Sequence, residues 1–137
     1  MIDLESTIYD RVITELLARE DLPEFSHSSE YVRMPASFPH LTLMEMDNST
    51  EKSTRDSGSG ENHVVLTYET NTYSNALEGK KQQCRKLAGA LDEILLGMNF
   101  ERISLKPVDN VLDASVYRMV GRYRVVADAE GRLYSRR

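Results

Sequence analysis

The chain holds a single cysteine, Cys84, among its 137 residues. One thiol excludes an intramolecular disulfide and any zinc site built on a cysteine pair. Cys84 falls in the middle of a helical pattern with no histidine beside it in sequence, so it reads as a small buried hydrophobe rather than an activated nucleophile. Long apolar runs are also missing. None approaches the ~18 residues that a membrane span requires, and no membrane partner is expected. The opening residues, Met1 to Ser6, lack a basic segment followed by an apolar one. The expectation is a protein made and used in a cytoplasm, or released from it by lysis.

The reactive residue types are equally sparse. His27, His40 and His63 are dispersed, with no second ligand four residues away on a helix, and read as surface or loop histidines. Gly58 and Gly60 lack the preceding strand, following helix and lysine of a phosphate-binding loop. Asp109 and Asp113 are the one candidate carboxylate pair, and turns routinely use aspartates to cap the backbone. No catalytic constellation emerges. The chain reads as a non-enzyme without metal or cofactor.

Positive charge is not in excess either. The net charge of −5 argues against a dedicated nucleic-acid binder, whose domain is usually basic. The charge is uneven, however. Residues 1–30 carry Asp3, Glu5, Asp10, Glu15, Glu20, Asp21, Glu24 and Glu30, whereas residues 118–137 carry six arginines against Asp128 and Glu130. An acidic end and a basic end on one small chain suit head-to-tail pairing between copies, because complementary potentials favour docking and fix its register.

What is present is a single-domain pattern over residues 1–137, long enough for its own core. Leu4, Ile8, Val12 and Leu16 recur every four residues, widened by Ile13 and Leu17, and predict a helix over 3–19 capped by Asp3 or Ser6. Residues 21–39 show no period beyond one short extended piece at Tyr31 to Met34. A strand follows at His40 to Met46, with Leu41 and Leu43 on one face. Residues 47–62 then run for sixteen positions without an apolar side chain. They have nothing to bury against the cost of ordering and read as a flexible polar arm or hairpin tip. A β-branched and aromatic strand is expected over 63–73. A second helix is expected over 76–98, capped by Ser74 or Asn75 and striped by Leu77, Cys84, Leu87, Ala88, Leu91, Ile94, Leu95 and Met98, with Gly97 or Asn99 as its stop. A strand over 100–106, ended by Pro107, the arginine-bearing strand near 115–127, a turn at 128–131 and a short last strand complete the pattern. The order predicts an α+β domain with a mostly antiparallel sheet of four to five strands and two helices packed on one face.

The arginine strand carries the functional expectation. Side chains alternate faces along a strand. Arg118, Arg122 and Arg124 therefore share a face with Val116, Val120 and Val126, and Tyr117, Met119, Tyr123 and Val125 share the other. One face suits a helix-covered core, and the arginine face is left for a partner. Lys80, Lys81, Arg85 and Lys86 add a basic set on the second helix. Phosphates and stacked bases would require such cations beside aromatics, but Tyr117 and Tyr123 lie opposite the arginines. A small nucleic-acid-binding module is the weaker alternative.

The stretch from His63 to Arg137 resembles the tail terminator or tail-completion ("minor capsid") proteins of long-tailed bacteriophages. The residues carrying the likeness are Val65 to Glu69 on a strand, a helix ending Leu95 to Arg102, Val108 to Asn110, Val116 to Tyr123, and the hairpin from Asp128 to Tyr134 with Gly131. The resemblance implies a structural virion protein assembled in the host cytoplasm. It would form a hexameric ring on the finished tail tube, ending tube polymerisation and offering a surface for head–tail joining. Implied partners are copies of itself, the major tail tube protein, the head–tail connector or stopper protein, and DNA passing through the lumen. A head-completion or stopper role in the neck is the neighbouring alternative. Candidate contacts with subunits or partners are Arg118, Arg122 and Arg124, together with Asp47, Asp56 and Glu61 of the arm.

Overall fold

Strict alternation along the arginine strand decides where the sheet's core face lies. A computed structural model describes residues 1–50, 63–110 and 112–135. Asp56 and Glu61 lie outside the described residues, as does most of the proposed arm. In chain order the elements are α1 (Glu5–Leu17), β1 (Ser26–Ser28), β2 (His40–Thr50), β3 (His63–Ser74), α2 (Lys80–Gly97), β4 (Glu101–Val108), β5 (Tyr117–Asp128) and β6 (Leu133–Tyr134). The strands form one six-stranded sheet in the order β1-β2-β3-β5-β4, with β6 pairing β5. All pairings are antiparallel except β1 with β2. The fold is α+β, and the expected four to five strands, the short last one among them, become six because β1 also joins the sheet.

β5 is an interior strand, between β3 and β4, although it is among the last strands in sequence. Both β3 and β4 run antiparallel to it, so they share a direction and α2 carries the chain from one to the other across β5. On β5, Met119, Tyr123, Val125 and Ala127 are buried, and on β3 their cross-strand neighbours Thr72, Tyr68, Leu66 and Val64 are buried with them. One hydrophobic cluster joins this face, through Leu41, Leu43, Val64, Leu66, Tyr68, Tyr123 and Val125, to Ile8, Val12, Ile13 and Leu16 of α1 and to Leu87, Leu91, Ile94 and Leu95 of α2. Burying such a side chain stabilises the fold by about 1.5–3 kcal/mol each. A smaller cluster of Cys84, Ala88 and Met119, with Leu105 and Tyr117 against it, extends the core toward β4.

One buried charge crosses these layers. Asp92 of α2 accepts hydrogen bonds from the Tyr123 hydroxyl at 2.7 Å and from Arg102 Nη1 of β4 at 2.9 Å. A buried carboxylate is tolerable only when it is so paired.

Several expectations need correction. Helix α2 begins at Lys80, not Ala76. Gly79 precedes it with φ +76°, a left-handed conformation that a helix interior cannot contain. Ser74 Oγ does receive the Ala76 N–H at 3.3 Å, but it shapes a turn, and Leu77 is left fully exposed instead of joining the stripe. Helix α1 starts after Leu4 with no side-chain cap; Asp3 only accepts the Glu5 N–H at 3.3 Å. Tyr31 to Met34 form no strand. The extended piece is β1, whose Ser-His-Ser sequence carries no apolar alternation and is held by the ladder to β2. Pro107 lies inside β4 rather than ending it. Since β4 is an edge strand paired only with β5, it can accommodate a residue without an N–H. Strand β2 runs on to Thr50, paired with Val64, so Asp47 and the three residues after it belong to the sheet. Asn99, with φ +73°, follows the last turn of α2 and stops it, as expected.

Candidate functional site

The face of β5 opposite the helices carries Arg118, Arg122 and Arg124, as the alternation requires. Register then decides what each meets. Arg122 lies opposite Glu69 of β3, Arg124 opposite Glu101 of β4, and Arg118 opposite Tyr73 of β3. Each guanidinium finds a partner on a neighbouring strand. Arg122 Nη2 donates to Glu69 Oε1 at 3.1 Å and Arg124 Nη2 to Glu101 Oε2 at 3.2 Å. Arg118 donates through Nε and Nη2 to Asn71 Oδ1 at 3.0 and 2.6 Å, and its guanidinium sits 5.6 Å from the Tyr73 ring centre.

The three arginines occupy different surroundings along this face. Around Arg118 the face is closed: His40, Thr42 and Met44 of β2 and Asn71 and Tyr73 of β3 are all buried, although they point away from the helices. Burial pushes the Tyr73 hydroxyl up in pKa, Arg118 pulls it down, and Tyr31 and Glu69 push it up again, for a net rise. His40 is held below the ordinary histidine value, first by burial and then by the field of His27. Its Nδ1 pairs with Ser26 Oγ at 2.6 Å, and Ser37 Oγ donates to Ser26 Oγ at 3.0 Å.

The other end is open. Val65, Thr67, Arg124 and Val126 are half-buried, and Asp47, Ser49, Glu101 and Arg122 are exposed. Arg122 has 57% of its side chain exposed while its partner Glu69 has 14%. One bond to Glu69 leaves most of the five N–H donors of this guanidinium without a partner among the described residues. Such exposed pairs contribute only about 0–1 kcal/mol to folding. They hold guanidinium planes in position on a surface of mixed charge, with hydroxyls and valines between.

The other candidate groups of the sequence have structural surroundings among the described residues. No group of three or more His, Cys, Asp or Glu side chains could hold a metal there. The Cys84 thiol is buried, its pKa is pushed up by that burial, and it bonds Thr72 O at 3.2 Å. Asp113 accepts from Ser115 Oγ and N at 2.6 and 2.9 Å. Those bonds hold its carboxyl below the usual range, side chain first and backbone second. This is turn capping. The histidines are not uniformly surface residues, however: His40 is buried, and His27 bonds Tyr9 Oη at 2.6 Å. Candidate Asp47 is exposed on β2 opposite Thr67. Sequence reasoning missed Glu69, Asn71 and Glu101 as the arginines' partners, because opposition across strands depends on register and not on spacing.

No helix of the described residues is long and apolar enough to cross a membrane. Comparison with protein-family models and with curated proteins finds no match to the chain.

Proposed function

We propose that this chain is a structural assembly protein of a bacteriophage virion. It caps the tail tube as a ring, most simply a hexamer, ends tube polymerisation and presents a surface for head–tail joining. The observation that carries the reading is the one-sided sheet. Its helix-bearing face is filled by the core, while the open end of its other face displays Arg122 and Arg124 beside exposed Asp47, Glu101 and hydroxyl-bearing Ser49 and Thr67. A charge-patterned sheet surface suits recognition of another protein surface. The strand, helix and hairpin that carry the likeness to tail terminators stand in the expected order along the chain. The carboxylate partners of Arg122 and Arg124 weigh against a nucleic-acid surface, since the charge of these two is already paired within the chain.

Light scattering and electron microscopy of the protein, alone and with the tail tube protein of the same virion, test this reading. Rings that attach to tube ends are the expected result. Monomers under both conditions would overturn it, and rings that bind the head connector but never the tube would move the protein to the stopper position.

A further inference from the structure

The two edges of the sheet carry opposite charge. At the β4 edge, Ala88 packs in the cluster containing Leu105 of β4, and Asp92 bonds Arg102 of β4. Lys81 and Arg85 continue the same stripe of α2, at the three- and four-residue spacing that places side chains on one helix face. With Arg102 and Lys106 on β4 they make a basic edge. Lys81, Arg85 and Lys106 are exposed, and among the described residues none forms an ion pair. Ile103, half exposed at the bulge in β4, adds an apolar contact in the middle of this edge.

At the β1 edge the sign reverses. Asp3, just before α1, and Asp10, within it, line a shallow groove of about 350 Å³ with Glu5, Ser6, Tyr9 and Ser29. The bond from Tyr9 Oη to His27 fixes α1 beside β1. None of the three acids forms an ion pair among the described residues. Their field is felt nearby. Burial pushes the Glu45 carboxyl up, its Tyr68 hydrogen bond pulls it down, and Glu5, Asp3 and Asp47 push it up further.

We infer that copies of this chain join edge to edge, the basic β4 edge of one subunit seating in the acidic groove between α1 and β1 of the next. The inference rests on the ring reading above and names its subunit contact. The two edges are different and lie at opposite ends of the sheet, so the contact is heterologous, the kind that a ring repeats from subunit to subunit. Uncompensated charge on each edge fixes polarity, because two like edges repel.

Reversing one edge at a time tests it, with association read by light scattering. Lys81→Glu/Arg85→Glu/Lys106→Glu leaves a subunit with two acidic edges, and Asp3→Lys/Asp10→Lys leaves one with two basic edges. Each alone is expected to associate at least about tenfold more weakly than the unaltered chain. An equimolar mixture is expected to recover assembly, because alternating subunits restore every contact. Unaltered chain that forms rings together with reversed variants that associate equally well would overturn the edge contact and leave the ring reading standing. Loss in each variant without recovery in the mixture would overturn the direct contact too. Unaltered chain that stays monomeric even with tube protein would remove the ring reading itself, and the edge contact with it. Should a variant fail to fold, the salt dependence of the unaltered chain decides. Assembly should weaken between about 50 and about 500 mM salt as screening shortens, and insensitivity would overturn the proposal.

Discussion

The two faces of β5 are made by the same twelve residues and obey different rules. On the helix side Tyr123, Val125 and Ala127 have no exposed surface, and every side chain is fixed by shape. On the other side Arg122 keeps more than half of its surface in solvent and is fixed only by one carboxylate. The first face sets stability. At its open end the second is free to be specialised, because a substitution of Arg122 disturbs no packing, whereas the end around Arg118 is closed by buried neighbours. Burial, not strand identity, tells which residues a fold cannot change.

The largest test of this contrast is Leu91→Ala in the core cluster. It should lower unfolding free energy by about 2–5 kcal/mol in denaturant titration, and a loss below about 1 kcal/mol would erase the distinction between the faces. Next comes Gly121→Ala. A Cβ at Gly121 would meet Thr70 Oγ1 at 2.5 Å, Tyr123 Cε1 at 2.8 Å and Leu105 Cδ1 at 3.2 Å. Overpacking of this kind costs about 1–3 kcal/mol, read as a drop in Tm. An unchanged Tm would mean that the helix side yields more than its burial implies.

A third test uses the end of β5. Burial pushes the Asp128 carboxyl up. Hydrogen bonds from the Arg132 N–H, the Tyr134 hydroxyl and the Arg132 guanidinium, with the Arg132 charge, pull it down further, to well below the usual range. A carboxyl lowered in the folded state adds stability that is present above its unfolded value of about 4 and is lost as pH falls toward the folded value. Below pH 4, a falling protection factor for the Arg132 amide, which bonds Asp128 Oδ1 at 2.9 Å, should report opening of the β5–β6 turn. In Asp128→Asn the protection factor should already be lower at neutral pH and lose most of this acid dependence. The smallest effect belongs to the arginine face. Arg122→Gln should shift folding stability by no more than about 1 kcal/mol, and a double-mutant cycle with Glu69→Gln should give a coupling of the same size. A cost of several kcal/mol would make this face part of the core.

Much of this arrangement was legible in the sequence where periodicity is strong. Alternation along β5 separated Tyr123 and Val125 from Arg122 and Arg124 correctly, and three-to-four spacing marked Cys84, Leu87, Leu91 and Leu95 as buried. Legibility failed where the backbone, not the side-chain pattern, decides. Gly79 moved a helix start by adopting a positive φ. Pro107 reads as a terminator because edge position is invisible in sequence. Ser26 to Ser28 became a strand through pairing alone. The arginines' partners were hidden for a related reason. Register shifts at Met46 in β2 and near Ile103 in β4 reset which residue faces which. The candidate face was thus readable as a row of cations but not as a row of pairs.

The place of β5 between β3 and β4 also constrains how the chain comes into being. Synthesis delivers β3, α2 and β4 first, yet the two strands cannot pair with each other; they must wait beside a gap until residues 117–128 emerge. Until then β3 and β4 each present a bare edge, the state from which nascent chains aggregate. A chain stopped before Tyr117 should therefore collect in the insoluble fraction rather than persist as a smaller folded unit, which makes β5, the last long strand, the one that closes the molecule.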